Sequence, residues 1–455
     1  MTNKEKWKLL FEDKRFREKS ATTLSDGRTP FESDYGRLIS SAPIRRLQDK
    51  TQVFPLESND YIRTRLTLSL EVSYIGGSIG QSVEKWLIDK KDMDDDQRGY
   101  LSSLLRTAGL VHDLGNPPFG HFGEEAIKDF FRHYLEKNKH GLNEIEVADL
   151  VNFDGNVQTF RILTRLYFFG DEFSYNLTYT TLSSVVKYPS NSVEGNKSPY
   201  TEIAKKKFGY FVTETEKYKA INDFLQLHHR RSPVVYLMEA ADDIAYTAAD
   251  IEDGIKLGII TVDDICEVFE KNLDINKNEV MKFLDSLKIQ FKNEPKNRES
   301  IMVQKFRIKT QQLMIEAVLD TFKDKYDLIM NGELEDEIIM ISRAKDIRRA
   351  YKKLTEKIFN YKTILKKELA GWEAIKGLLE IFVSAAESPN FKSSGNCRES
   401  RLYNIISLNY RTIYERYPAY ENNMYNRLRL IVDYISGMTD RHAINLYQEL
   451  KGIKL

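Results

Sequence analysis

Three short segments of this 455-residue chain carry side chains suited to metal binding and proton transfer. The first is the pair His112 and Asp113, which follows an apolar helical pattern. An imidazole and a carboxylate at one helix end can converge on a single divalent cation, which borderline metals such as Mn, Fe or Co accept. An ordinary helix C-terminus would show the same pair, because a histidine is favoured at the negative end of the helix dipole.

The second segment, 116–124, contains two prolines and two glycines that stiffen and reverse the backbone before a new helix starts. On that helix His121 and Glu124 lie three residues apart and share a face. Such a pair suits proton transfer, because the carboxylate orients the imidazole and raises its basicity. Alternatively, Glu124 only complements the positive helix N-terminus and His121 caps it.

The third segment is an alanine-rich helical pattern in which Asp242, Tyr246 and Asp250 are spaced by four and form one stripe. The alanines between them leave room for a ligand. An unpaired carboxylate in this apolar setting would be costly, so we expect a metal or an arginine nearby. A solvated acidic face explains Asp243 and Glu252 better than it explains Asp242.

Helical periodicity dominates the rest of the chain, and the 11 prolines and 23 glycines are fewer than usual. Helical patterns cover residues 61–87, 101–114, 120–137, 151–169, 213–227 and 234–257, and amphipathic charged runs such as 280–291 and 347–369 follow. Strand-like alternation is scarce, with 208–213 as the best case. The sequence therefore predicts an all-α protein with an extended N-terminal arm (1–34), a helical core (35–260) and a helical C-terminal region (261–455).

Composition narrows the functional classes. The 68 basic residues balance the 68 acidic ones, so no overall field attracts nucleic acid or an anionic membrane. Only two cysteines are present, too few for a disulfide framework, which favours a reducing cytoplasmic setting. The N-terminus lacks the apolar segment of a signal peptide and no window of eighteen apolar residues occurs, so we expect no membrane association.

Taken together, the three segments resemble the HD-domain deoxynucleoside triphosphate triphosphohydrolases, in particular the bacterial dGTPases. Further segments that match this family are 44–56, 63–67, 187–188, 206–210 and 433–440. The resemblance spans about residues 30 to 440 and is looser between 260 and 400. It implies an HD-type helical core and hydrolysis at the α-phosphorus of dGTP or another dNTP, which releases deoxynucleoside and inorganic triphosphate.

The resemblance also implies roles for individual residues. A divalent metal (Mn, Mg, Co or Fe) would be held by His112, Asp113 and Asp242. His121, paired with Glu124, would protonate the departing 5′-oxygen. The implied contacts with the deoxyribose and the triphosphate are Gln52, Tyr246 and Asp250 for the sugar, Arg65, Lys187, Tyr188 and Lys207 for the phosphates, and Arg427 and Arg429 completing the pocket.

The sequence departs from the family pattern at the first metal-binding histidine, where it has Leu68. A leucine cannot bind a metal, so we expect weakened cation binding and impaired hydrolysis. Two explanations are open: a natural member with lost or altered activity, or an engineered change made to trap substrate, which the intact remainder of the pattern favours. A lesser departure places Asn152 and Asp154 where the family usually has His and Glu.

The alternative function is a catalytically silent dNTP sensor or a regulator that binds single-stranded DNA. A basic run that includes Arg343, Arg348 and Lys353 is compatible with phosphate contacts, although an ordinary solvated helix face explains it better. The resemblance further suggests a homo-oligomer, a hexamer built from dimers.

Overall fold

The computed structural model describes residues 1–17, 27–167, 170–195, 202–293, 298–393, 395–416 and 423–453. The chain forms two compact units that interleave along the sequence. Unit 1 comprises Met1–Glu12, Glu57–Leu110 and Ser232–Lys366, and unit 2 comprises Asp13–Leu56, Val111–Arg231 and Lys367–Leu455. Each unit therefore draws on distant parts of the chain.

Unit 1 is built around two long helices that pack against each other, α4 (Arg65–Lys90) and α11 (Pro233–Lys256). Its helices are α1 (Asn3–Leu10), α4 (Arg65–Lys90), most of α5 (Tyr100–Val111), α11 (Pro233–Lys256), α12 (Val262–Asn272), α13 (Lys277–Gln290), α14 (Arg298–Asp324), α15 (Tyr326–Met330), α16 (Ile338–Ile341) and α17 (Lys345–Phe359). α11 is buried along almost its whole length and also contacts α14 and α17. Its apolar composition fits a central helix with partners on several sides.

Glycines allow α4 and α5 to approach each other closely. A Cβ atom on Gly80 would lie 2.6 Å from the Cα atom of Ser102, and one on Gly109 would lie 2.8 Å from the backbone nitrogen of Ser73. Both contacts are with backbone, which cannot move aside. Any larger residue at these two positions would push the helices apart.

Unit 2 contains shorter helices joined by longer connections. They are α2 (Pro30–Ile39), α3 (Ala42–Arg46), α6 (Gly120–Lys137), α7 (Glu144–Val151), α8 (Gly155–Arg161), α9 (Tyr179–Ser183), α10 (Thr215–Phe224), most of α18 (Lys362–Glu387), α19 (Arg398–Ile405), α20 (Leu408–Arg416), α21 (Met424–Ser436) and α22 (Asp440–Leu450). A single π-helical turn, Ile162–Leu166, extends α8. Proline and N-cap side chains begin several of these helices, as Thr29 does for α2.

The all-α fold is confirmed, since the described residues contain helices and turns but no strand. The helix predicted over 120–137 has those bounds, and the one predicted over 234–257 is α11. The segment 208–213, the best strand candidate, is irregular and runs into a short 3₁₀ turn at Val212–Glu214. None of the described helices is long and apolar enough to cross a membrane.

Other predictions from the sequence differ from the structure. Within the predicted extended arm, Asn3–Leu10 is a helix whose Trp7 is fully buried and donates a hydrogen bond to the Tyr326 hydroxyl. The helix predicted over 151–169 is interrupted, because Asp154 caps a new helix at Gly155, and residues 168–169 lie outside the described ranges. The divisions at 34 and 260 stay predictions. Each of the two units combines three separate stretches of the chain, and local composition does not reveal which distant helices pack together.

Candidate active site

In unit 2, His112 and Asp113 follow directly after α5 and form a close pair. Nε2 of His112 lies 3.5 Å from Oδ2 of Asp113, and the His112 side chain is almost fully buried. The backbone is held by Gly115, whose N–H donates to the Thr159 hydroxyl at 2.9 Å. Because a Cβ on Gly115 would overlap the backbone of α8, this glycine sets how close the pair comes to that helix.

The first two turns of α6 bring His121 and Glu124 together. Nδ1 of His121 lies 3.9 Å from Oε2 of Glu124. The Glu124 carboxylate is buried and accepts bonds from Lys128 Nζ at 2.8 Å and the backbone N–H of Gly155 at 3.2 Å. Burial raises the pKa of Glu124, but the neighbouring His121 and the charges of Lys128 and Lys207 outweigh it and hold this pKa below its usual range. Glu124 is therefore an anion beside the imidazole.

Lys207 reaches the same region through the first turn of α8. Its ammonium group bonds to the buried carboxylate of Asp154, which also caps α8 by accepting the N–H of Asn156 at 2.8 Å. The next residue, Gly155, donates to Glu124. The N-terminus of α8 thus gathers a cation, two carboxylates and the positive end of a helix dipole.

The segments that carry Lys187, Tyr188 and Lys207 run side by side in unit 2. The N–H of Gly209 donates to the Ser190 carbonyl at 2.9 Å, and the Ser190 hydroxyl donates to the Lys207 carbonyl at 3.0 Å. The structure therefore brings together the backbone segments that carry three of the residues predicted to bind the triphosphate.

Gln52 presents a buried polar atom. Among the described residues its Oε1 has no hydrogen-bond partner. A buried acceptor without a donor is unfavourable, so a donor from a bound molecule would be stabilising there.

Arg427 and Arg429, which were predicted to complete the substrate pocket, make hydrogen bonds within unit 2. Arg427 donates to the carbonyl of Ala386 at 2.9 Å. Arg429 is fully buried, donates to Gln158 Oε1 at 2.9 Å, and lies 3.7 Å over the ring of Phe211.

In unit 1, α11 carries Asp242, Tyr246 and Asp250 along one stripe, of which Asp250 is buried and the other two are partly buried. The expectation that Asp243 and Glu252 form a solvated face is wrong, because both are buried in ion pairs. Asp243 binds Arg348 at 2.9 Å, and Glu252 accepts a hydrogen bond from Arg63 at 2.8 Å. The spacing alone did not show that a basic helix and the start of α4 pack here.

Asp250 has an unusual ionisation. Burial and the neighbouring charge of Asp253 raise its pKa to about 8, although Arg63 and Arg65 oppose the shift. At neutral pH the Asp250 side chain is largely protonated and is therefore a hydrogen-bond donor. Burial also raises the pKa of Tyr246, so its hydroxyl keeps its proton.

Position 68 is on the second turn of α4 in unit 1, where Leu68 is only 1% exposed. An apolar side chain provides no metal ligand. The donors His112 and Asp113 are of the right type for a divalent cation, but among the described residues no three His, Cys, Asp or Glu side chains form a group that could hold one. The side chains as they stand therefore do not complete a metal-binding group.

Sequence comparisons identify relatives with known names. Residues 66–157 match the HD domain, and residues 401–449 match a phosphohydrolase-associated domain. A deoxyguanosinetriphosphate triphosphohydrolase-like protein of Listeria innocua is 38% identical, with 98% of this chain and 100% of the relative covered. A protein of the same name from Synechocystis is 31% identical, with 99% of this chain and 100% of the relative covered. A probable deoxyguanosinetriphosphate triphosphohydrolase of Pseudomonas aeruginosa is 31% identical over 95% of each chain.

The chain belongs to the deoxyguanosinetriphosphate triphosphohydrolase-like family of HD-domain proteins. The resemblance inferred from the motifs is confirmed. Phosphohydrolases with an HD domain generally depend on divalent metals. The HD match contains Leu68, the His112 and Asp113 pair, and the His121 and Glu124 pair.

Sequence reasoning missed two residues of the cluster around Glu124 and Lys207. Lys128, four residues after Glu124 on α6, could have been found from the helical spacing. Asp154 was noted only as a departure from the family pattern, and its bond to Lys207 gave no sequence signal.

Proposed function

We propose that the chain hydrolyses a deoxynucleoside triphosphate, dGTP first among them, to deoxynucleoside and inorganic triphosphate, and that Leu68 weakens this activity. The names of full-length relatives support the substrate class. The observation that carries the proposal is the pairing of an exposed His121 with a buried, anionic Glu124 on α6. Preference for guanine rests on the family resemblance.

His121 is the proton donor in this proposal. Its side chain is 88% exposed, so a substrate can reach it, and the anionic Glu124 lies 3.9 Å from its Nδ1. A water molecule attacks the α-phosphorus, and as the bond between this phosphorus and the 5′-oxygen breaks, His121 gives its proton to that oxygen. The proton that the attacking water loses passes to solvent. Glu124 is held in place by Lys128 and Gly155 and keeps the imidazole oriented.

The cationic side chains bind the triphosphate. Lys207 bonds to Asp154 at the N-terminus of α8, Lys187 and Tyr188 precede Ser190, whose hydroxyl donates to the Lys207 carbonyl, and Arg65 is at the start of α4. Lysine and arginine are suited to a polyanion because they donate charged hydrogen bonds. They also stabilise the negative charge that develops on the phosphoryl oxygens.

The deoxyribose is bound by one acceptor and one donor. The buried Oε1 of Gln52 can accept a hydrogen bond from a sugar hydroxyl, and the protonated Asp250 can donate one. The ring of Tyr246 is proposed to exclude a 2′-hydroxyl, which would separate deoxynucleotides from ribonucleotides.

Metal binding is proposed to involve His112, Asp113 and Asp242, with a missing ligand at position 68. A bound divalent cation would supply electrophilic activation of the phosphate. Because Leu68 is buried and apolar, a water molecule is also a poor replacement for the absent imidazole.

The test compares the unmodified chain with Leu68→His and Leu68→Asn. Each protein is incubated with dGTP and with Mn²⁺, Mg²⁺ or Co²⁺, and deoxyguanosine and inorganic triphosphate are separated by chromatography. We expect faster turnover of dGTP by Leu68→His than by the other two proteins, and little turnover of GTP. The proposal is rejected if Leu68→His releases no triphosphate with any of the three metals.

A second candidate function is binding of a dNTP without hydrolysis. The buried Leu68 and the incomplete group of metal donors among the described residues favour it. Equilibrium binding of dGTP by both the unmodified chain and Leu68→His, with no product from either, would identify this function. In the basic run proposed for DNA, Arg348 is already paired with Asp243 and Glu337, which leaves fewer cations for phosphate contacts. Binding of single-stranded DNA, a hexameric assembly, a cytoplasmic location and substrate contacts by Arg427 and Arg429 stay predictions.

A further inference from the structure

The turn that leads into α6 has an unusual backbone. Phe119 has a φ of +62°, in the left-handed region that residues other than glycine rarely adopt. It is buried and immediately precedes α6, in which His121 is the second residue. A turn in this conformation persists only when its surroundings hold it.

One carboxylate holds this turn. Oδ1 of Asp440 accepts the backbone N–H of Phe119 at 3.0 Å. Oδ2 of the same group accepts the backbone N–H of Thr51 at 2.9 Å and also the Thr51 hydroxyl. Asp440 is 2% exposed and is the first residue of α22, which Thr439 caps. A single buried side chain therefore joins three segments that are far apart in sequence.

Two of the three joined segments carry a residue of the proposed reaction. Gln52 follows Thr51, and His121 lies two residues after Phe119. Lys50 ties the same segments together a second time, because its Nζ donates to the Asn116 carbonyl at 2.6 Å and the Ser436 carbonyl at 2.9 Å.

We propose that Asp440 is a positioning residue that orients the His121 and Glu124 pair through the Phe119 turn and orients Gln52 through Thr51. The inference rests on the proposed function for its catalytic meaning, but the hydrogen bonds themselves do not. It also gives the 433–440 motif a physical role, since this motif supplies both Asp440 and the Ser436 carbonyl that Lys50 binds.

The chemistry requires a carboxylate at position 440. Three donors, two backbone N–H groups and one hydroxyl, point at its two oxygens. An asparagine would direct its own NH₂ group at one of the backbone donors and lose that bond. Asp440→Asn therefore removes a contact without changing the size of the side chain.

The primary measurement is the side-chain signal of His121 in the full-length protein labelled with ¹³C-histidine, assigned with His121→Gln. A Glu124→Gln variant gives the signal of His121 without its carboxylate partner. We expect the signal in Asp440→Asn to move towards the one seen in Glu124→Gln. The matched control is Asp149→Asn, because Asp149 is also a buried carboxyl of unit 2 that accepts a backbone N–H and two hydroxyls, but from Val212, Ser192 and Tyr425.

The outcomes separate positioning from general loosening. An unchanged His121 signal in Asp440→Asn, or an equal shift in Asp149→Asn, would overturn the inference. Should Asp440→Asn fail to fold, Asp440→Glu, which keeps the carboxylate but displaces it, is measured in the same way and must show a partial shift. Thr51→Val, which loses only the hydroxyl bond, must leave the His121 signal in place.

Activity gives a second, distinguishable readout. In the Leu68→His background we expect Asp440→Asn to lower kcat by about tenfold or more, because small displacements of catalytic groups have effects of this size, and Asp149→Asn to leave it unchanged. If the Leu68→His protein itself is inactive with dGTP, the proposed function fails, whereas the His121 signal still decides whether Asp440 positions the pair.

Discussion

The carboxylate of Glu124 lies 3.9 Å from Nδ1 of His121, yet only the histidine is open to solvent. Glu124 is buried and bonded to Lys128 and to the backbone of Gly155, so it belongs to the packing of unit 2. His121 contributes little packing of its own. Removing the imidazole should therefore separate effects on catalysis from effects on stability.

In the Leu68→His background, we predict that His121→Ala lowers the turnover of dGTP by about 10²-fold or more, the usual contribution of a positioned proton donor. The affinity for dGTP and the unfolding midpoint should stay unchanged. Steady-state kinetics, equilibrium binding and calorimetry measure the three quantities. His133→Ala is the control, since His133 is 67% exposed on the same helix. Loss of dGTP affinity together with turnover would instead assign His121 to substrate binding.

The metal hypothesis predicts a stability effect at position 68 that does not depend on activity. Leu68 is buried, so Leu68→His should lower the free energy of unfolding by about 1–3 kcal/mol without metal, because a polar group replaces an apolar one. Saturating Mn²⁺ should then raise the thermal unfolding midpoint of Leu68→His, because a metal that binds only the folded state stabilises it. Leu68→Asn, which is polar but lacks the imidazole, should not respond. Equal responses of all three proteins to Mn²⁺ in thermal unfolding would contradict the hypothesis.

Local signals in the sequence were sufficient to predict several of the long helices. Pro117 and Pro118 fixed the start of α6, and the four-residue spacing placed Asp242 and Asp250 on one stripe. Contacts between distant segments gave no such signal. The bond from Phe119 to Asp440 joins residues 321 apart in the chain, and a single sequence shows no periodicity or spacing that links them.

The same limit explains the error at Asp243 and Glu252. In a helix pattern an acidic residue is expected to face solvent, and only the packing of α4, α14 and α17 against α11 turns these two residues into buried partners of arginines. The conformation of Phe119 was also unpredictable, because the two prolines before it require a turn but do not specify its φ value.

Arg63 is the centre of an ion-pair network in unit 1. Its guanidinium and backbone N–H bond to Glu71, Glu252 and Asp253 at 2.6–3.0 Å. This network fixes the start of α4 against the end of α11.

Arg63→Ala would leave three carboxylates with fewer cations, and we predict a loss of about 3–5 kcal/mol in unfolding free energy, the usual cost of breaking a buried pair. Urea denaturation followed by circular dichroism measures the loss. Arg98→Ala removes an exposed pair with Asp95 and should not change the midpoint measurably. The network would be unimportant for stability if both variants unfolded at the same urea concentration as the unmodified chain.

The raised pKa of Asp250 predicts how stability depends on pH. Burial and the charge of Asp253 raise this pKa to about 8, whereas an unfolded aspartate titrates near 3.9. The folded state therefore binds the proton more tightly than the unfolded state. The contribution of this proton to the free energy of unfolding is present at low pH and is lost as pH rises from the unfolded pKa to the folded pKa. Within this window the free energy of unfolding falls by at most about 1.4 kcal/mol per pH unit on account of Asp250.

Asp250→Asn has a similar shape but cannot ionise, so it should gain stability relative to the unmodified chain by about 1–2 kcal/mol between pH 6.5 and 8. Burial raises the pKa values of Asp149 and Asp243 only to about 6, so they contribute mainly below this window. Denaturant unfolding at several pH values gives the two profiles. Asp263→Asn, at an exposed position, should follow the unmodified chain. Parallel profiles for Asp250→Asn and the unmodified chain would mean that Asp250 is ionised in the folded protein and cannot donate a hydrogen bond to the sugar.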